Sequence, residues 1–143
     1  MPAGRRYSED MQTTGKDLAI DLGQDRPGMI AKAFDAIAKA NINVDGYCET
    51  GQGTLHVLTK DPAATRRAVE GASFKVREER DVVVADVADR PGMAAQIFRQ
   101  IADAEVNVDL TYSLASARLV VGSKDFAKLK ETLRVETPTA ARM

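Results

Sequence analysis

Two short runs in the 143-residue chain have the make-up of a receptor for a small zwitterion: Asp25-Arg26-Pro27-Gly28-Met29 and Asp89-Arg90-Pro91-Gly92-Met93. Pro27 fixes φ and suits the first turn of a helix, while Gly28 lacks a Cβ and lets a ligand approach the backbone. The N–H groups of Gly28, Met29 and Ile30 then have no partner within the helix and suit a carboxylate. The helix dipole adds about 0.3–1 kcal/mol at an exposed site. Asp25 precedes these donors and offers acceptors to an ammonium group, and Asn43 carries both a donor and an acceptor. Asp89, Pro91, Gly92, Met93 and Asn107 repeat the set. A carboxylate receptor beside an ammonium receptor fits an α-amino acid. The competing reading is structural: Asp25 and Asp89 as helix caps, Asn43 and Asn107 as turn residues.

Other reactive side chains are sparse. His56 is the single histidine, and with no Cys/His cluster near it the reading is a solvent- or interface-facing strand residue, not a metal ligand. Cys48 reads as a small packed residue. Arg26 or Arg90 with Asn43 or Asn107 superficially matches the arginine and asparagine of small acyl-phosphate hydrolases, but the glycine-rich phosphate loop is missing. No Ser-His-Asp set and no Gly-Lys phosphate loop occur. The reading is therefore non-catalytic, with no cofactor and no metal.

Composition narrows the partners. Lys+Arg is 20 against Asp+Glu 21, a net charge of −1, and aromatic residues are 5% with no tryptophan. A basic or aromatic nucleic-acid surface is not expected. No run of about 18 apolar residues exists to span a membrane, and the N-terminus lacks the apolar core of a secretory signal. With one cysteine and no disulfide, a cytoplasmic location is expected.

The elements that position the motifs come from a duplication. At a fixed offset of 64, residues 25–45 match residues 89–109 at 13 of 21 positions. Leu18, Ile20 and Leu22 alternate with polar neighbours as in a half-buried strand, and Val82–Val84 fill the matching place. There the alternation slips, Val87 taking the inward role one residue late, as a small bulge would allow. Each motif leads into an amphipathic helix, with Ile30, Ala33, Phe34 and Ile37 or Ala94, Ile97, Phe98 and Ile101 at helical spacing. Strands follow at 42–49 and 106–114, then 54–59 after a glycine-rich turn in the first copy. Asp61 and Asp125 cap second helices. Last strands are expected at 74–80 and, raggedly, at 134–138.

This order, with Asp-Arg-Pro-Gly between first strand and first helix and Asn-Val-Asp after that helix, resembles the ACT domain, twice. The fold expected is α+β: two tandem ferredoxin-like βαββαβ units, antiparallel sheets with helices on one face. The boundaries read as a disordered tail over 1–15, units over 16–80 and 81–138, and a tail over 139–143. The resemblance implies a regulatory sensor that holds an amino acid at interfaces between such units, self-associates as a homodimer and is coupled to a regulated enzyme or regulator protein. A constitutive dimerisation module without ligand is the alternative.

Overall fold

The structure is a computed structural model that describes residues 12–24 and 26–135. The chain forms two compact units, one from residues 15–81, the other from residues 82–135 with residues 12–14. In the first unit β1 (Thr13–Asp21), α1 (Met29–Lys39), β2 (Val44–Glu49), β3 (Thr54–Thr59), α2 (Pro62–Gly71) and the first half of β4 (Lys75–Asp86) follow in the βαββαβ order. The second unit takes the other half of β4, then α3 (Met93–Asp103), β5 (Leu110–Leu114), β6 (Arg118–Gly122) and α4 (Phe126–Leu133). Residues 13–15, read from sequence as tail, are strand. The ragged last strand expected at 134–138 is not seen at Arg134 or Val135, and its remainder lies outside the described residues, as do 1–11 and 139–143.

Sheet order in the first unit is β2-β3-β1-β4, and in the second it is β4-β6-β5. β1 runs antiparallel to β3, pairing Leu18 with Val57 and Ile20 with Leu55, and β2 is antiparallel to β3 in turn. Alternation puts Leu18, Ile20 and Leu22 on one face, where they meet Ala33, Ile37 and Val69 from the two helices. Val83, Ala85 and Val87 meet Ile97, Ile101 and Leu129 in the same way. Each fully buried Leu or Ile contributes about 1.5–3 kcal/mol. Ile30 and Ala94, counted in the helical stripes, are exposed instead; both lie in the first turn of their helix, and Ile30 is 42% accessible.

The slip in the second repeat is not a bulge. Asp21 pairs with Thr54 and Asp86 pairs with Arg118, so β1 and β4 match at an offset of 65 while the rest matches at 64. The ladder of β4 on β6 is regular through Asp86. The missing residue comes from the loop: Val87-Ala88-Asp89 replaces Leu22-Gly23-Gln24-Asp25. Matching hydrogen bonds confirm the frame, Leu22 N–H to Gly53 O at 2.7 Å and Val87 N–H to Ala117 O at 2.8 Å. The second hairpin needs no glycine because Ser116 and Ala117 themselves adopt left-handed φ.

Both second helices start as read. Asp61 accepts from Ala64 N–H at 3.1 Å and Asp125 from Lys128 N–H at 3.2 Å. Thr59 and Ser123 hydroxyls hold the N–H groups of Asp61 and Asp125, fixing the approach to each cap. Asp61→Ala or Asp125→Ala should each lower stability by about 0.5–2 kcal/mol; urea titration would register the loss in midpoint with an unchanged slope.

Candidate functional site

The first helix of each unit opens on a glycine in the left-handed region. Gly28 has φ 92 and ψ −11, Gly92 has φ 88 and ψ −7, and neither helix has a side-chain cap. A carbonyl two residues before each glycine closes the turn: Arg26 O accepts from Met29 N–H, and Arg90 O from Met93 N–H, both at 3.4 Å. Beyond the glycine Cα there is open space within 4 Å. The structural job foreseen for aspartate as cap is therefore taken by glycine. Asp89 is exposed, and its carboxylate has no partner among the described residues. Asp25 lies outside the described residues.

Each motif flanks a cleft that belongs wholly to its own unit. In the first unit about 280 Å³ opens between Asp21–Gln24, Arg26, Met29, Lys32 and the exit of α2. In the second, about 360 Å³ opens between Asp86, Val87, the α3 residues Met93, Gln96 and Gln100, and the exit of α4 at Arg134. Lys75 also lines the first cleft and Gln12 the second. The two clefts occupy equivalent places in the repeat and are at the small end of the range for ligand sites.

The structure does not bring all the sequence-read residues together. Met29 and Met93 line the clefts; Pro27, Gly28, Ile30, Pro91 and Gly92 stand exposed or at the rim of the same turn. Asn43 and Asn107 do not join them. β2 follows β1 in parallel with β3 between, so Asn43 sits at the end of the sheet where β1 begins and the motif sits where β1 ends. Five strand residues, about 17 Å, separate the two levels. Asn107, ahead of β5, is related to its motif in the same way. The arginine–asparagine pair of the hydrolase reading is therefore not assembled within a unit, and Arg26 Nε instead faces Met29 Sδ at 3.4 Å.

The polar groups that do reach the clefts went unread because the offset of 65 hid their equivalence. Asp21 Oδ1 accepts from Gly23 N–H at 2.8 Å and meets Arg77 Nη2 at 3.2 Å. The Gly23 N–H, then the Arg77 guanidinium, hold its carboxyl below the ordinary carboxylate range. Asp86 is the counterpart, and its Oδ1 is buried with no hydrogen-bond partner. Elsewhere, His56 is half-buried, not solvent-facing, with Nδ1 2.7 Å from Oδ2 of the fully buried Asp17. Cys48 is half-buried on β2. Among the described residues no group of His, Cys, Asp and Glu could hold a metal, and no helix is long and apolar enough to cross a membrane.

Two outcomes follow from this geometry. Asp89→Ala should shift stability by less than about 0.5 kcal/mol, since Gly92 and not Asp89 begins the helix; a loss near that of Asp125→Ala in the same urea titration would restore the capping role. Asp21 contributes stability above the unfolded carboxyl value of 3.8 that is lost as pH falls through its lowered folded value. Asp21→Asn should therefore lose less stability than wild type on acidification below about pH 4, measured by circular dichroism.

No protein-family model matches the chain. An aspartokinase of Corynebacterium glutamicum is 34% identical over 65 residues, which is 46% of this chain and 15% of that protein. The chain thus spans about a seventh of the length of the curated relative it matches. Among solved structures, a protein designated BT0572 from Bacteroides thetaiotaomicron superposes with a TM-score of 0.69 at 22% identity, covering 87% of this chain and 88% of that one. The regulatory subunit of aspartate kinase from Thermus thermophilus, in its ligand-free form, gives 0.61 at 19% identity over 87% and 94%. In fold this chain is similar to the regulatory subunits of aspartate kinase, ACT-domain proteins, and it shares sequence with aspartokinases over part of its length.

Proposed function

We propose that the chain is a non-catalytic regulatory module that binds a small α-amino acid beside the first turn of α1, α3 or both. The observation that carries this reading is the duplicated helix start: an αL glycine, no side-chain cap, open space at the glycine, and a cleft alongside. Met29 and Met93 N–H are spent on Arg26 O and Arg90 O, so the other N–H groups of the first turn and the helix dipole receive a carboxylate, and the exposed carboxylate of Asp89 receives an ammonium. One helix end supplies only part of the roughly 4–8 kcal/mol needed to sense a metabolite between millimolar and micromolar concentrations. The cleft walls or a second copy of the chain supply the rest.

The likeness to regulatory subunits of aspartate kinase supports the reading and suggests the output. The partner is then a catalytic kinase chain, and the effector an amino acid whose binding favours one arrangement of the assembly over another. A cytoplasmic setting goes with that reading.

A ligand-free dimerisation role has its own observation. β2 pairs only with β3 among the described strands, and Tyr47 on it is 57% accessible, packed edge-on against Phe34 at 5.1 Å and on the same unit as exposed Ile30. An open edge beside apolar side chains invites pairing with another copy.

Thermal unfolding against each of the twenty amino acids separates the two. A sensor shows a selective rise, several degrees at 100-fold excess over Kd, where the linkage is about 2.7 kcal/mol. A flat panel at millimolar concentrations, with a dimer that survives Asp89→Ala and falls apart on Tyr47→Arg, would leave the dimerisation role alone.

A further inference from the structure

We infer that the cleft of the second unit takes a small molecule bearing a guanidinium group, with Asp86 as its anchor. The inference deepens the amino-acid reading for one cleft, and rests on it for the ligand being small.

The two units answer the same aspartate differently. Asp21 closes β1 of the first unit, where Gly23 N–H and the Arg77 guanidinium share its Oδ1. Asp86 closes the equivalent stretch of β4 and occupies the same point in its ladder, opposite Arg118 as Asp21 is opposite Thr54. Its Oδ1 is nevertheless buried without a hydrogen-bond partner. The loop that supplies Gly23 N–H is one residue shorter here, and Ala88, which follows Asp86 as Gly23 follows Asp21, gives Asp86 Oδ1 no N–H. Arg118, the nearest cation along the ladder, donates its Nε to Ala115 O at 3.1 Å. Where the first unit places Lys32 in the cleft wall, the second places Gln96, a neutral amide. Among the described residues no arginine takes the part that Arg77 takes for Asp21.

A buried carboxylate oxygen left unpaired is costly, and such a group in a cleft calls for an external partner, a water, an ion or a ligand's donor. The cleft around it has the right complement. Gln96 and Gln100 offer amides; Met93, Ile97 and Leu133 line an apolar stem; Arg134 stands at the exit of α4, placed for an anion at the ligand's far end. About 360 Å³ accommodates a molecule with a guanidinium head and a three- or four-carbon chain. A guanidinium is the group the repeat itself places on this carboxylate, and its planar fork is suited to it.

Calorimetric titration of the full chain with agmatine, L-arginine and L-citrulline tests this. Citrulline keeps the shape and removes the charge. Agmatine and arginine should bind about tenfold or more tightly than citrulline, and Asp86→Asn should erase that difference while Asp21→Asn preserves it. The Asp86→Asn chain should also melt no lower than wild type, since an unpaired buried charge has gone. Equal binding of all three probes, no binding of agmatine, or discrimination that persists in Asp86→Asn would overturn the assignment, as would preferential binding of Mg²⁺ or Ca²⁺ that depends on Asp86. If another amino acid stabilises the protein while agmatine and arginine do not, the amino-acid reading stands and the guanidinium assignment fails. If nothing in the panel binds, both fail.

Discussion

A glycine held at positive φ before the first helix sets the terms for each unit. At φ near 90 an L-residue with a Cβ is strained, so the chain enters α1 and α3 through Gly28 and Gly92. The position that would otherwise carry a serine or aspartate cap therefore carries no side chain. Two consequences are inseparable: the first turn gains no side-chain cap, and only Met29 and Met93 N–H close on a backbone carbonyl, Arg26 O and Arg90 O. A polar cap would improve the helix and close the place where an anion could sit. The contrast with α2 and α4, both conventionally capped by aspartate and steadied by a hydroxyl, shows that the chain uses ordinary caps where no opening is wanted.

Packing then decides which parts of the motif can act together. Each first helix runs back along its sheet, eleven residues or about 16 Å, and delivers the following asparagine to the far end. Asn43 and Asn107 are thus separated from their own glycines by the length of the helix that joins them. A ligand at the motif takes its further contacts from what stands at that same end: the exit of the second helix, the close of the first strand and the neighbouring hairpin turn.

Much of the fold was legible because it rests on local signals. Alternating Leu18, Ile20 and Leu22, helical spacing of Ala33 and Ile37, and aspartates ahead of the second helices each mark an element by their own chemistry. The duplication doubled every signal. What was not legible depended on pairing between distant segments. The single-residue difference in the loop before each motif moved the frame from 64 to 65, so Asp21 and Asp86 never fell opposite one another, and Val87 looked like a bulge. The asparagines looked adjacent to the motifs because sequence order suggests neighbouring strands, whereas the ladder interposes β3 and β6. His56 gave no sign of its buried partner, since Asp17 lies 39 positions away and its burial is a tertiary fact.

Duplication followed by divergence gives the two clefts different electrostatics on one frame. In the first unit the aspartate at the close of the strand is consumed internally, tied to a loop N–H and to Arg77, and Lys32 and Lys75 stand around it. That cleft is self-neutralised and cationic at its rim. In the second, the shorter loop gives Asp86 no N–H, and Gln96 stands where Lys32 stands. The same carboxylate is left without an ion pair, in a cleft lined by glutamine amides with Arg134 at the exit of α4. Helix propensity and core volume are nearly indifferent to a change from lysine to glutamine on an exposed face, so packing does not require this replacement. Its effect is on charge: it takes away from the cleft of Asp86 a cation that the cleft of Asp21 keeps.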